Sequence, residues 1–146
     1  MAIDQPTRAA TGSGQYAQVN GINLYYETHG SGRPLVLLHG GLMSGEGFGP
    51  LLPALAASHQ VIVPDLQAHG RTADIDRPLR IDLMAGDIAA LIEHLGLDRP
   101  DIMGYSLGGG VAFMVAVQRP DLIRKAIVVS AHIRRDAISV RRRRRS

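Results

Sequence analysis

The sequence contains no cysteine and no tryptophan, and its aromatic content is only 4%. Without cysteine there is no disulfide framework and no thiolate metal site, so a fold must rest on its apolar core alone. No stretch reaches the roughly 18 consecutive apolar residues of a membrane-spanning helix. The N-terminal M-A-I-D-Q-P-T-R lacks the basic start and apolar run of a secretory signal, so a cytoplasmic setting without a membrane partner is expected. What is present, 146 residues with 45% hydrophobic content, suffices for one globular domain.

The formal net charge of +3 is a property of one end. Arg141 to Arg145 supply five of the sixteen basic residues; without them eleven basic residues face thirteen acidic ones, a balance of −2. Such a run can bind phosphates, but no interleaved aromatic residues or basic helix face accompany it, and a nucleic-acid partner is not expected.

The order of elements suggests three segments: a small, polar lead-in over 1–15, a domain over 16–139, and an arginine-rich tail over 140–146. Asn20-Gly21 between two alternating stretches predicts a hairpin. P-L-V-L-L-H-G (34–40) and H-Q-V-I-V-P-D-L (59–66) predict strands buried on both faces. Helical spacing appears over 47–57 and again over 81–95, where Gly96 ends the pattern. After D-I-M (101–103) come the glycine-rich turn, a buried helix over 111–117 that runs until Pro120, and a strand over 123–131. A hairpin followed by strand–helix repeats predicts an α/β fold with a mostly parallel sheet and helices on both faces.

G-Y-S-L-G, residues 104–108, stands at the end of one of these strands and matches the nucleophile elbow G-x-S-x-G. The turn is tight enough to push the Ser106 side chain outward, and only small residues two positions away, Gly104 and Gly108, avoid clashing. The next helix aims its free N–H groups at the same spot. Ser106 is the candidate catalytic nucleophile.

H-G-G-L-M-S (39–44) ends the earlier strand, and with the elbow and the element order it makes the chain resemble the α/β-hydrolase superfamily, in its serine hydrolase branch. The resemblance implies an oxyanion hole formed by the backbone N–H groups of Gly41, or alternatively Leu42, and of Leu107. It makes His39 a loop-supporting residue. D-L-Q-A-H-G-R-T (65–72) resembles the family's D-x-x-G-x-G-x-S segment, with Ala68 at a usual glycine and Thr72 at a usual serine; Asp65 and His69 are expected to shape loops. The implied substrate is a small carboxylic ester or lactone, and no cofactor is implied; an amide or cofactor-free perhydrolysis are the alternatives. The serine argues against the family's dehalogenase and epoxide-hydrolase branches, which attack through an aspartate.

The resemblance covers only the first half of that fold, a truncated form in which the triad acid and histidine are missing. After Ser106 only His132 and Asp136 offer a histidine and a nearby acid, in the reverse of the family order. His29, His59 and His94 stand alone, and no metal site is expected. The expectations are an inactive truncated or frame-shifted product, the arginine run being an out-of-frame reading, and self-association through a sheet edge without a neighbour. A non-catalytic fragment and an arginine-tail module for anionic partners are the competing readings.

Overall fold

A computed structural model describes residues 14–132; residues 1–13 and 133–146, with Asp136 and the arginine run, lie outside the described part. Strands β1 (Gln15–Val19) and β2 (Ile22–His29) form the expected hairpin. Asn20 and Gly21 turn it at φ 47° and 72°, the left-handed pair that matches the twist of two-residue hairpins. β1 begins one residue ahead of the expected Tyr16.

The six strands lie in the order β1-β2-β4-β3-β5-β6, where β3 is Arg33–Leu38, β4 His59–Pro64, β5 Asp101–Tyr105 and β6 Ala126–Val129. β1 and β2 run antiparallel, β2 meets β4 antiparallel, and β4, β3, β5 and β6 are mutually parallel. Helix α1 (Leu51–Ala56) covers one face; α2 (Ile81–His94) and α3 (Leu107–Gln118) cover the other. Because both faces are packed, the central strands read as continuous apolar runs. Val36, Leu38 and Ile62 enter the core beneath α2 and α3, while Leu37, Val61 and Val63 face Phe48, Leu52 and Leu55 on the α1 side.

Several boundaries differ from the sequence pattern, each for a local reason. The expected helix over 47–57 is broken into a 3₁₀ turn, Gly45–Phe48, and α1. Gly49 at φ 53° and Pro50, which has no N–H to give, separate them. α3 starts at Leu107, so Gly108, Gly109 and Gly110 are helical and buried. The expected strand over 123–131 shortens to Ala126–Val129, with Ile123 buried ahead of it. α2 does stop at Gly96: at φ 61° it lets Leu97 N–H reach back to Ile92 O at 3.2 Å, a Schellman ending. No helix among the described residues is long and apolar enough to cross a membrane.

Candidate active site

β3, β4 and β5 are neighbours, with Leu38 opposite Gly104, so the loops that leave their C-terminal ends meet at one edge of the sheet. Ser106 sits where β5 passes into α3, solvent-exposed, at φ 52° and ψ −113°. Its N–H donates to Val129 O at 2.9 Å and its carbonyl accepts from Gly110 N–H at 3.0 Å, which fixes the turn at both ends. The flanking glycines are sterically required. A Cβ on Gly104 would collide with the Gly108 carbonyl, and one on Gly108 would meet the carbonyls of Leu38 and His39.

The loop after β3 faces this elbow. A Cβ placed on Gly41 would lie 3.8 Å from Leu107 Cβ and Cδ2. Leu107 opens α3, so its N–H has no intrahelical acceptor. Gly41 N–H has none among the described residues. Among the described residues neither of these two backbone N–H donors has a backbone partner, and the segments that carry them adjoin.

The loop is anchored from below. His39 is fully buried; its Nδ1–H donates to Gly40 O at 2.7 Å, and its Nε2 accepts the Leu66 N–H at 3.0 Å. These partners fix the neutral tautomer, and burial pushes its pKa below the ordinary histidine value. Both nitrogens are committed to backbone, which leaves neither for proton transfer. Asp65, also buried, accepts Gly45 N–H at 2.8 Å and Arg71 N–H at 3.0 Å, while its carbonyl accepts the Thr72 hydroxyl at 2.7 Å. His69 donates Nδ1–H to Gln67 O at 2.8 Å, its ring 5.2 Å from that of His39.

A clamp beyond this segment has no counterpart in the sequence reading. Buried Gln67 donates to Asp74 Oδ1 at 2.8 Å and to Arg77 O at 3.1 Å, and its amide oxygen accepts from Arg77. Arg77 in turn forks onto buried Asp87 of α2 at 2.9 and 2.6 Å. The available signal was Asp87 itself, an acidic residue amid the apolar positions 84, 88 and 91 of a helix.

Other expected residues fall apart from the elbow. Among the described residues no imidazole or carboxylate hydrogen-bonds Ser106 Oγ. His132 is exposed. His29 lies 3.3 Å from Glu27, and His59 Nδ1 hydrogen-bonds the Ser58 hydroxyl at 2.8 Å. Among the described residues no three His, Asp or Glu side chains gather as metal ligands would.

The alpha/beta hydrolase fold family model matches residues 33–143. The chain belongs to the α/β-hydrolase family. It is 40% identical over 116 residues to a soluble epoxide hydrolase of Corynebacterium sp. (strain C12), covering 77% of this chain and 40% of that protein. It superposes on the ligand-free epoxide hydrolase CorEH with a TM-score of 0.78 and 36% identity, over 82% of this chain and 42% of the other. A marine microorganism esterase matches with a TM-score of 0.70 and 32% identity, over 73% and 41% of the two chains. The chain therefore spans about two fifths of these relatives' length. Its described residues carry six strands of a partial α/β-hydrolase fold, with the turn at Ser106 next to the loop after β3.

Proposed function

We propose that Ser106 is the nucleophile of an acyl hydrolase that acts on a carboxylic ester or lactone. The observation that carries this reading is the backbone of Ser106: an exposed non-glycine residue held at φ 52° at a strand end and a helix start. Strain of this kind costs about 1–3 kcal/mol and persists where the surroundings enforce it. The elbow glycines and the bond to Val129 O do so here.

In the proposed reaction Ser106 Oγ gives its proton to a base and bonds to the carbonyl carbon while the carbonyl π pair moves onto oxygen, where the N–H groups of Gly41 and Leu107 receive it. Collapse expels the alcohol, to which the protonated base supplies the proton, and water then repeats the sequence on the acyl-serine. The nucleophile also separates the activities printed for the relatives. A serine that opened an epoxide would be left as an alkyl ether, which water does not cleave; one that attacks a carbonyl becomes an ester, which water does. The aspartate expected of the epoxide-hydrolase branch is absent from position 106, and this supports the esterase reading.

Among the described residues no imidazole or carboxylate hydrogen-bonds Ser106 Oγ to take its proton. Losing the histidine of a serine-hydrolase triad costs about 10⁶ in kcat, so the 146-residue chain is proposed to turn esters over slowly by itself. Imidazole supplied in solution tests the arrangement. Release of p-nitrophenol from p-nitrophenyl acetate should rise with imidazole more steeply in the presence of the chain than of its Ser106→Ala variant; equal slopes would contradict the nucleophile assignment.

We also propose self-association through β6. β6 pairs only with β5 among the described strands, and Ile127 and Val129 on it are exposed, beside an apolar cavity of about 250 Å³ lined by Met43, Phe48, Leu51, Met103, Tyr105 and Val129. An apolar open edge favours pairing with another chain.

A further inference from the structure

Arg33 opens β3 and pairs in register with His59, which opens β4, so both stand at the end of the sheet opposite the elbow. Two cavities adjoin there. One, of about 240 Å³, lies between β2, β4 and the chain leaving α2, where Tyr26, Thr28, Ile62 and Leu95 line it. The Tyr26 hydroxyl is already spent on Gln15 at 2.8 Å, which leaves this part mainly apolar. The other, of about 530 Å³, is lined by Arg33, Pro34, Asp98 and Arg99. Gln60 and Leu97 line both, and join them into one groove with an apolar inner part and a charged mouth.

The mouth holds charge that the fold does not use. Nearby carboxylates are taken by other arginines: Arg124 forks onto Asp101 at 2.9 and 2.7 Å, and Arg119 onto Asp121 at 3.1 and 3.0 Å. Among the described residues Arg33 and Arg99 pair with no carboxylate, and Arg99 reaches only the Ile123 carbonyl, at 3.3 Å. Arg99 is also strained. It is exposed and stands at φ 43° directly before Pro100, where an extended backbone is the rule. Asp98 offsets one of the two guanidiniums, so the mouth keeps one net positive charge. We propose that this groove is a second ligand site, for a small monocarboxylate with an apolar body. Arg33 and Arg99 receive the carboxylate, and the body lies along Leu97, Ile62 and Leu95. The half-buried Gln60 amide, which has no hydrogen-bond partner among the described residues, stands where the two parts join. A singly charged head group balances the mouth, whereas an inorganic anion leaves the inner part unfilled.

Octanoate is the probe, with octanol and acetate as its two halves and inorganic phosphate as an anion without a body. In the full chain carrying Ser106→Ala, the Ile62, Leu95 and Leu97 methyl resonances should shift saturably with octanoate. Octanol, acetate and phosphate should each need at least about tenfold higher concentrations for the same shift. An equal response to octanol leaves the arginines without a role, an equal response to phosphate leaves the apolar part without one, and either result overturns the proposal. So does octanoate that moves the Leu51 methyls beside β6 and leaves the three groove residues in place. Arg33→Gln and Arg99→Gln replace exposed side chains and should leave Tm unchanged, while each weakens octanoate binding about tenfold through loss of a charge-assisted hydrogen bond. Binding undiminished in both variants overturns the proposal. None of these readouts passes through Ser106, so the site stands or falls apart from the ester chemistry.

Discussion

His39 Nε2 accepts the Leu66 N–H at 3.0 Å and, together with the Gly45 N–H bond to Asp65, ties the loop after β3 to the loop after β4. The other ring nitrogen is spent on Gly40 O. Burial, joined by His69, opposes protonation of the ring and outweighs the Gly40 carbonyl and Asp65, which favour it, so the pKa is lowered.

The sign of the pH dependence follows. His39 is neutral in the fold, and in the unfolded chain it titrates near about 6.5. Its contribution to stability is complete above that pH and is lost as pH falls from there through the lower folded value, because the unfolded chain binds the proton first. Denaturant unfolding measured across this range should show stability falling toward acid, with a shallower fall in His39→Gln. Equal slopes would mean that His39 is not the titrating link.

The Arg77–Asp87 pair should be costly to break from one side. Asp87→Ala leaves a guanidinium that is only 17% exposed without its partner, a loss of about 3 kcal/mol. Urea unfolding of the variant measures it. The Gln67 amide should also lose hydrogen-exchange protection, since Arg77 bridges the two.

Ala68 offers a change in the opposite direction. It is exposed and sits at φ 62°, where glycine is the residue of lower strain. Ala68→Gly should stabilise the fold by about 1 kcal/mol, read as a rise in Tm.

Sedimentation tests the edge of the sheet. The chain should associate with rising concentration, and Ile127→Lys, which puts a charge on the exposed edge, should shift it toward monomer. A parent chain that remains monomeric at every concentration would contradict the self-association.

Much of this architecture was legible because the physics is local. Apolar runs bounded by glycine gave the strands their places, and Asn20-Gly21 can hardly be anything but a tight turn. The elbow was readable for a steric reason, since Gly104 and Gly108 are the residues that let β5 turn sharply beneath α3. The break between the 3₁₀ turn and α1 was missed because helical spacing alone ignores what Gly49 and Pro50 do to the backbone. The early start of α3 was missed because three successive glycines look like a loop until the surrounding carbonyls are seen to exclude larger residues. Gln67, Arg77 and Asp87 stayed hidden for another reason: their partnership spans twenty residues of sequence and exists only once the loop folds over α2.

The most direct measurement is the site of acylation. The chain is incubated with p-nitrophenyl acetate and imidazole, digested, and its peptides are weighed. The account predicts an added acetyl group on the peptide containing Ser106, absent from Ser106→Ala and at much lower yield on other serines. Acetylation spread evenly over exposed serines, or unchanged in Ser106→Ala, would contradict the assignment of the elbow as the site of chemistry.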